Sequence, residues 1–187
     1  MPINGTDTDA TIVARVRAGD REAYAELVRR HAPVALRTAA LLGAGSDAED
    51  VVQEAFVKGY ARLDTFREGA PFRPWLLRIV SNETHNLHRG DGRRRARERL
   101  TWERTERLLR QAEPLESTLS TERRELLIGM LRRLAERDRQ VVVCRYLLDL
   151  DEAESAAVLG WPRGTVKSRS SRAIGRLRAM LEEELNA

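Results

Sequence analysis

The 187-residue chain has one cysteine, Cys144, and three histidines. A single cysteine excludes an intrachain disulfide and any zinc site built on thiolates, and it fits a reducing, intracellular compartment. Aromatic residues make up only 5% of the chain. With Ala, Leu, Arg and Glu plentiful, that scarcity favours helices over a β-sandwich. No run approaches the about 18 apolar residues of a membrane span. The opening Met1-Pro2-Ile3-Asn4-Gly5-Thr6-Asp7 has neither a basic n-region nor an apolar h-region, so the expectation is a cytoplasmic protein with no membrane contact of its own. There is no phosphate-binding Gly-x-x-x-x-Gly-Lys loop and no Ser/His/Asp motif. His85 and His88 stand three apart without a third ligand nearby, so no metal, cofactor or catalysis is expected.

What is present is charge and helical periodicity. Lys and Arg number 33 against 29 Asp and Glu, for a net charge of +4, and 42% of residues are hydrophobic. Such a chain can bury a core, and its length allows one domain or two small ones. From Gly19, apolar residues recur at helical spacing through Leu27, Val34 and Leu41, with Pro33 a site for a kink or break. Ser46 and Glu49 have capping-box spacing and open a second helix, whose buried stripe is Val51, Val52, Ala55, Phe56, Tyr60 and Leu63. Pro74 suits the first position of a third helix, which carries Trp75, Leu76, Ile79 and Val80. Residues 89–99 hold six Arg. Pro114 and a Ser/Thr-rich stretch follow. The fold class expected is all-α: a flexible tail over 1–10, a helical domain over 11–95, a flexible linker over 96–121 and a second helical domain over 122–187.

The second domain contains the most informative segment. Asp151–Leu159 reads as a helix, Gly160 as its left-handed stop, Trp161-Pro162-Arg163-Gly164 as a turn, and Thr165 as the cap of another helix. From Arg163 to Arg178 there are six basic residues and no acid. This is the layout of a helix-turn-helix, whose second helix enters the major groove. Arg and Lys there pair with phosphate or guanine edges, and Ser and Thr reach either. An ordinary helical hairpin with a solvated basic face is the bland alternative. A stand-alone helix-turn-helix regulator and a helical adaptor also stay open on this motif alone.

Four blocks in order carry a resemblance to a family. Gly160-Trp161-Pro162-Arg163-Gly164-Thr165-Val166-Lys167-Ser168-Arg169 resembles the −35 reader of bacterial sigma factors. Leu134 to Val142, followed by Arg145-Tyr146, resembles the opening of that domain. Asp47-Ala48-Glu49-Asp50-Val51-Val52-Gln53-Glu54-Ala55-Phe56 is similar to the segment that docks on RNA polymerase. Phe72-Arg73-Pro74-Trp75-Leu76-Leu77-Arg78-Ile79-Val80 is similar to the start of the −10 reader. Length and a two-domain plan point to the extracytoplasmic-function (ECF) class.

The resemblance implies a non-catalytic specificity subunit of RNA polymerase. Its partners would be the polymerase core, through the clamp coiled coil of the largest subunit, promoter DNA and an anti-sigma factor. Core docking falls to Asp50, Gln53, Glu54 and Val57, with Ala61 continuing the strip; a solvated helix face is the alternative. Reading a melted −10 strand calls for stacking platforms, amide hydrogen bonds and cationic backbone contacts. The candidates are Phe66, Phe72, Arg78, Asn82, Asn86, Arg89, Arg93 and Arg94. Loop-to-core packing of Phe66 and Phe72, and helix capping by Asn86, remain open beside those roles. The −35 duplex falls to Arg163, Thr165, Lys167, Ser168, Ser171 and Arg172. Two departures stand out. Ser155 and Ser170 occupy positions where the family usually has an aliphatic residue facing the interior, and a loosely held C-terminal domain is the expectation drawn from them.

Overall fold

A computed structural model describes residues 7–89 and 121–186, and every regular element among the described residues is helical. The first helix, α1 (Asp9–Arg17), is opened by Thr8, whose hydroxyl accepts from the Thr11 amide at 3.2 Å. That bond satisfies one of the donors a helix start leaves free. Ile12, Val13 and Val16 are buried at helical spacing. Helix therefore begins at Asp9, inside the stretch expected to be a flexible tail. Asp9 also holds His31, with Oδ2 and Nε2 2.8 Å apart, and meets Arg30 at 3.4 Å.

Asp20 caps a short turn at Arg21–Ala23, and α2 (Tyr24–Leu41) follows. It passes through Pro33 without a break. Pro33 lies on an exposed face, where a carbonyl released from the helix ladder is free to bond water. The expected Ser46/Glu49 capping box does not form. Gly45–Asp47 makes a 3₁₀ turn instead, the Ser46 hydroxyl lies 3.3 Å from Asp47, and α3 (Ala48–Ala61) begins after it. Val51, Val52, Ala55 and Phe56 are buried as expected, while Tyr60 is 40% exposed. The fourth helix, α4 (Phe72–Arg89), starts two residues ahead of Pro74. Pro74 still falls in the first turn, where its missing N–H deprives no carbonyl. These four helices close the first core around Leu27, Phe56, Phe72, Leu76 and Val80.

The second group comprises α5 (Thr121–Arg133), α6 (Glu136–Val142), a π turn at Val143–Leu147, α7 (Glu152–Leu159) and α8 (Arg163–Leu185). A full capping box starts α7: the Glu154 amide donates to Asp151 at 2.7 Å, and the Asp151 amide donates to Glu154 at 2.8 Å. Gly160 ends α7 with φ +68, a conformation that glycine adopts without a Cβ clash. Pro162, not Thr165, occupies the cap of α8, and the Thr165 amide donates to the Pro162 carbonyl at 2.9 Å. Cys144 is buried and its thiol is pushed up to about 12 by desolvation, as suits a small apolar core residue.

The second core is not built from the C-terminal helices alone. Leu41 and Leu42 at the end of α2, and Leu77 on α4, are buried with Ile128, Leu131, Val141, Leu148 and Leu159. Three arginines fasten the same seam. Arg37 donates to the Leu147 carbonyl at 3.1 Å, Arg73 to the Leu148 carbonyl, and Arg78 to the Ala157 carbonyl at 2.8 Å. Burial and the neighbouring Arg73 charge hold the Arg37 guanidinium below its ordinary pKa. The two expected helical groups thus share a packed face.

Ser155 faces the interior as expected, and Ser170 does not. Ser155 is fully buried, and its hydroxyl donates to the Leu150 carbonyl at 3.5 Å, the outer limit for such a bond. Ser170 is only half-buried, and its hydroxyl lies 3.3 Å from the Tyr146 hydroxyl. One interior hydroxyl therefore has a weak partner, and the other stands at the edge.

Candidate nucleic-acid interface

On α3, positions 50, 54, 57 and 61 follow the helical repeat away from the buried stripe. Asp50, Gln53, Glu54, Val57 and Ala61 are all exposed, Val57 by 58%. Glu54 meets Lys58 at 3.1 Å, and Lys58 reaches across to Glu83 on α4 at 2.7 Å. Those carboxylates raise the Lys58 pKa. Beside the strip, a groove of about 560 Å³ runs between α2 and α3, lined by Tyr24, Val28, Phe56, Val57 and Tyr60 among others. The sequence reading missed this groove because it placed Tyr60 in the core. Tyr60 instead stacks edge-on against Tyr24, their ring centres 5.0 Å apart, and leaves one side to solvent.

On α4, Arg78, Asn82 and Asn86 are exposed and four residues apart, so they line one helix face. Both Asn side chains point out and offer a donor and an acceptor. Arg78 carries its bond to Ala157, so the α4 face abuts the C-terminal group. Phe66 and Phe72 are not surface platforms. Both are buried, packed with each other at 5.7 Å and against Trp75 at 5.2 and 5.4 Å between ring centres. The core-packing alternative is the one realised, because the loop must close over α4 with apolar groups. The side chain of Arg89, and Arg93 and Arg94 entirely, lie outside the described residues.

On α8, Arg163, Lys167, Ser168, Ser171 and Arg172 are exposed, and Thr165 is half-buried. Arg163, Lys167 and Ser171 stand four apart on one face, and Ser168 and Arg172 make the adjoining row. Val166 and Ala173 turn inward to the second core. Two other arginines of α8 are paired within the unit. Arg169 donates to Asp138 at 2.9 Å and Arg176 to the other oxygen of Asp138 at 2.5 Å. Asp138 itself is 4% exposed. Arg169 also lies over the Trp161 ring, 5.8 Å from its centre. A buried carboxylate thus sets the rotation of α8, fixing which face is offered. The sequence held a signal for it: Asp138 stands four after Leu134 and three before Val141, in the register of the buried stripe.

The arrangement is a helix-turn-helix with an exposed face of basic and hydroxyl residues, packed beside a second helical unit whose α4 presents a polar face. Residues 27–94 match the Sigma-70 region 2 family and residues 124–177 match Sigma-70, region 4; α1 precedes the matched segment. The chain is 36% identical over 172 residues to the ECF RNA polymerase sigma-E factor of Escherichia coli K12, covering 89% of this chain and 90% of that protein. It is 32% identical over 184 residues to the Haemophilus influenzae sigma-E factor, covering 95% of each. Among solved structures, CnrH in complex with the cytosolic domain of CnrY matches with a TM-score of 0.64 and 33% identity, covering 95% of this chain and 99% of that one. The sigma factor RpoE of Bartonella quintana, solved with the anti-sigma factor NepR, shares the fold at a TM-score of 0.60 and 24% identity, covering 84% of this chain and 97% of that one.

The class is therefore that of RNA polymerase sigma factors, which direct initiation to promoters. Within it, this chain belongs to the ECF family. No described helix is long and apolar enough to cross a membrane.

Proposed function

We propose that α3 docks this sigma factor on core polymerase, that α4 and its preceding loop take the melted −10 strand, and that the outer face of α8 reads the −35 duplex. The observation that carries the reading is the α3 strip. Asp50, Gln53, Glu54 and Val57 stand exposed together on one helix, with an apolar groove at their side. Acidic groups beside an apolar surface suit a basic amphipathic partner helix. The clamp coiled coil of the largest polymerase subunit is that partner. This chain supplies recognition, and the polymerase supplies the chemistry.

Asn82 and Asn86 read a base edge at −10, with Arg78 and the basic run beyond α4 on phosphates. Phe66 and Phe72 support that loop from beneath. At −35, Arg163, Lys167, Ser168, Ser171 and Arg172 meet the groove, and Thr165 sits in the first turn of the same helix. An anti-sigma partner belongs to the same reading, supported by the similar CnrH having been solved with the cytosolic domain of CnrY.

Reading both elements requires the two units to part. The elements lie about 25 base pairs apart by their names, roughly 85 Å of duplex. In the structure Arg78 touches Ala157. Arg163 follows Ala157 by six residues, at most about 22 Å of chain, and Asn86 lies about 12 Å along α4 from Arg78. The two reading faces cannot span the promoter until the seam opens.

Core association is the test. Asp50→Arg with Glu54→Arg should abolish co-purification with core polymerase while leaving the helical circular dichroism spectrum and melting temperature unchanged. Undiminished association would remove the α3 strip from the interface.

A further inference from the structure

The loop between α3 and α4 is held from an unexpected place. Arg17, at the end of α1, reaches into the carbonyls of the 3₁₀ turn at Leu63–Thr65 that follows α3, and of Phe66 behind it. Its Nε donates to the Leu63 carbonyl at 3.2 Å, and its Nη2 donates to the same oxygen at 2.7 Å, to the Asp64 carbonyl at 3.4 Å and to the Phe66 carbonyl. Its Nη1 stands 4.0 Å from the Glu68 carboxylate. The Leu63 carbonyl also accepts from the Phe66 amide at 3.1 Å, so Arg17 adds charged donors to a turn that the backbone itself closes. A planar guanidinium can serve several such acceptors at once, which a lysine ammonium does with less directional control.

We propose that α1 is part of the −10 reader and that Arg17 is a positioning residue for the base-receiving loop. This rests on the reading of that loop and of Asn82 and Asn86 as the −10 site. Arg17 fixes one end of the loop, at Leu63 to Phe66. The aromatic packing of Phe66, Phe72 and Trp75 fixes the other. Between these anchors only Arg67 to Pro71 is left at the surface, with Gly69 at φ +76 turning the chain.

The brace is itself anchored. Ile12, Val13 and Val16 bury α1 against the first core, and Asp9 binds His31 and Arg30 on α2. A segment far from the loop in sequence thereby sets the loop's shape. Arg17 touches no nucleotide in this account. It acts by holding backbone that does.

The experiment uses the full chain, reconstituted with core polymerase, on run-off templates whose −10 positions are randomised and whose −35 element is constant. Arg17→Ala, Arg17→Lys, Asn82→Ala and Asn86→Ala are compared with the parent. Arg17→Ala should keep core affinity and flatten the −10 base preference by about tenfold or more, since a displaced reading surface loses discrimination steeply. Arg17→Lys, which keeps the charge and one donor, should fold like the parent and show a smaller flattening in the same positions. If Arg17→Ala does not fold, the lysine variant decides alone. Equal loss on all templates with unchanged base preference would reduce Arg17 to a structural residue and overturn the proposal. If the two Asn variants leave the preference untouched, the −10 assignment itself fails, and the proposal falls with it. If they shift the preference and neither Arg17 variant does, only the role of Arg17 is lost.

Discussion

The two helical units keep their reading faces in place by different means. In the N-terminal unit α4 is seated by apolar and aromatic packing, with Phe66, Phe72 and Trp75 gathered at its start, and the core is closed by that unit's own residues. In the C-terminal unit α8 is oriented by charge, through the buried Asp138 and its two arginines. Its core is completed by three leucines borrowed from α2 and α4. A small unit has too little interior to be secure alone. The C-terminal unit thus depends on the N-terminal one for part of its core until another surface replaces that support.

The sharpest way to break the comparison is Leu77→Ala. Leu77 belongs to α4 by sequence and to the second core by packing, and its side chain is fully buried. Removing it should destabilise by about 2–5 kcal/mol. Hydrogen exchange should show lost protection in α6 to α8 as well as in α4. Lost protection confined to α4 would mean that the seam contributes nothing to the C-terminal unit.

Asp138→Ala comes next. It leaves Arg169 and Arg176 without their shared acceptor, and charged hydrogen bonds of this kind are worth about 1.5–3 kcal/mol. Arg176 is half exposed and recovers water, so the lower end is expected. Chemical denaturation should show that loss. Transcription should lose its dependence on the −35 sequence before it loses core association. Retained −35 dependence would mean that Asp138 does not orient α8.

Ser155→Ala should change stability by less than about 1 kcal/mol, because the hydroxyl's bond to Leu150 is long and the Cβ carbon is kept. A large loss in the melting temperature would reveal a stronger hydroxyl partner. The smallest effect concerns α2. Arg29 and Arg30 hold the Glu26 carboxylate below its ordinary value of 4.5. A depressed carboxylate adds stability that is full above its unfolded value and fades as pH falls through the folded one. Glu26→Gln should therefore lower stability slightly at neutral pH and make the acid limb below pH 4.5 shallower. An unchanged acid limb would show that these exposed pairs contribute nothing.

Much of this was legible in the sequence where one helix sets its own pattern. The buried stripe of α3, Tyr60 apart, and the stop at Gly160 follow from residue type and spacing within one helix. What was not legible depended on distant partners. Ser46 and Glu49 offered a capping box that a 3₁₀ turn pre-empted. Phe66 and Phe72 are chemically suited to stacking on a base, and only the closure of the loop decides that they stack on Trp75 instead. Arg169 and Arg176 look like their neighbours in composition, yet Asp138 draws them inward. The seam was hidden for the same reason: Leu41 reads as part of a one-sided helix with nothing local to say which core it joins, and Leu77 falls beside the stripe of Leu76, Ile79 and Val80 rather than in it.

The separation of the two readers offers the most direct test. Cysteines introduced at Ala25 and Ala179, both exposed, accept a fluorophore pair, while Cys144 stays unlabelled at neutral pH because its buried thiol is pushed up to about 12. Energy transfer is measured on the free chain and on its open complex with core polymerase and promoter DNA. A single distance is expected in the free chain, and a lengthening of tens of ångströms, about 30 Å or more, in the complex. A transcribing complex with the free chain's distance unchanged would contradict it.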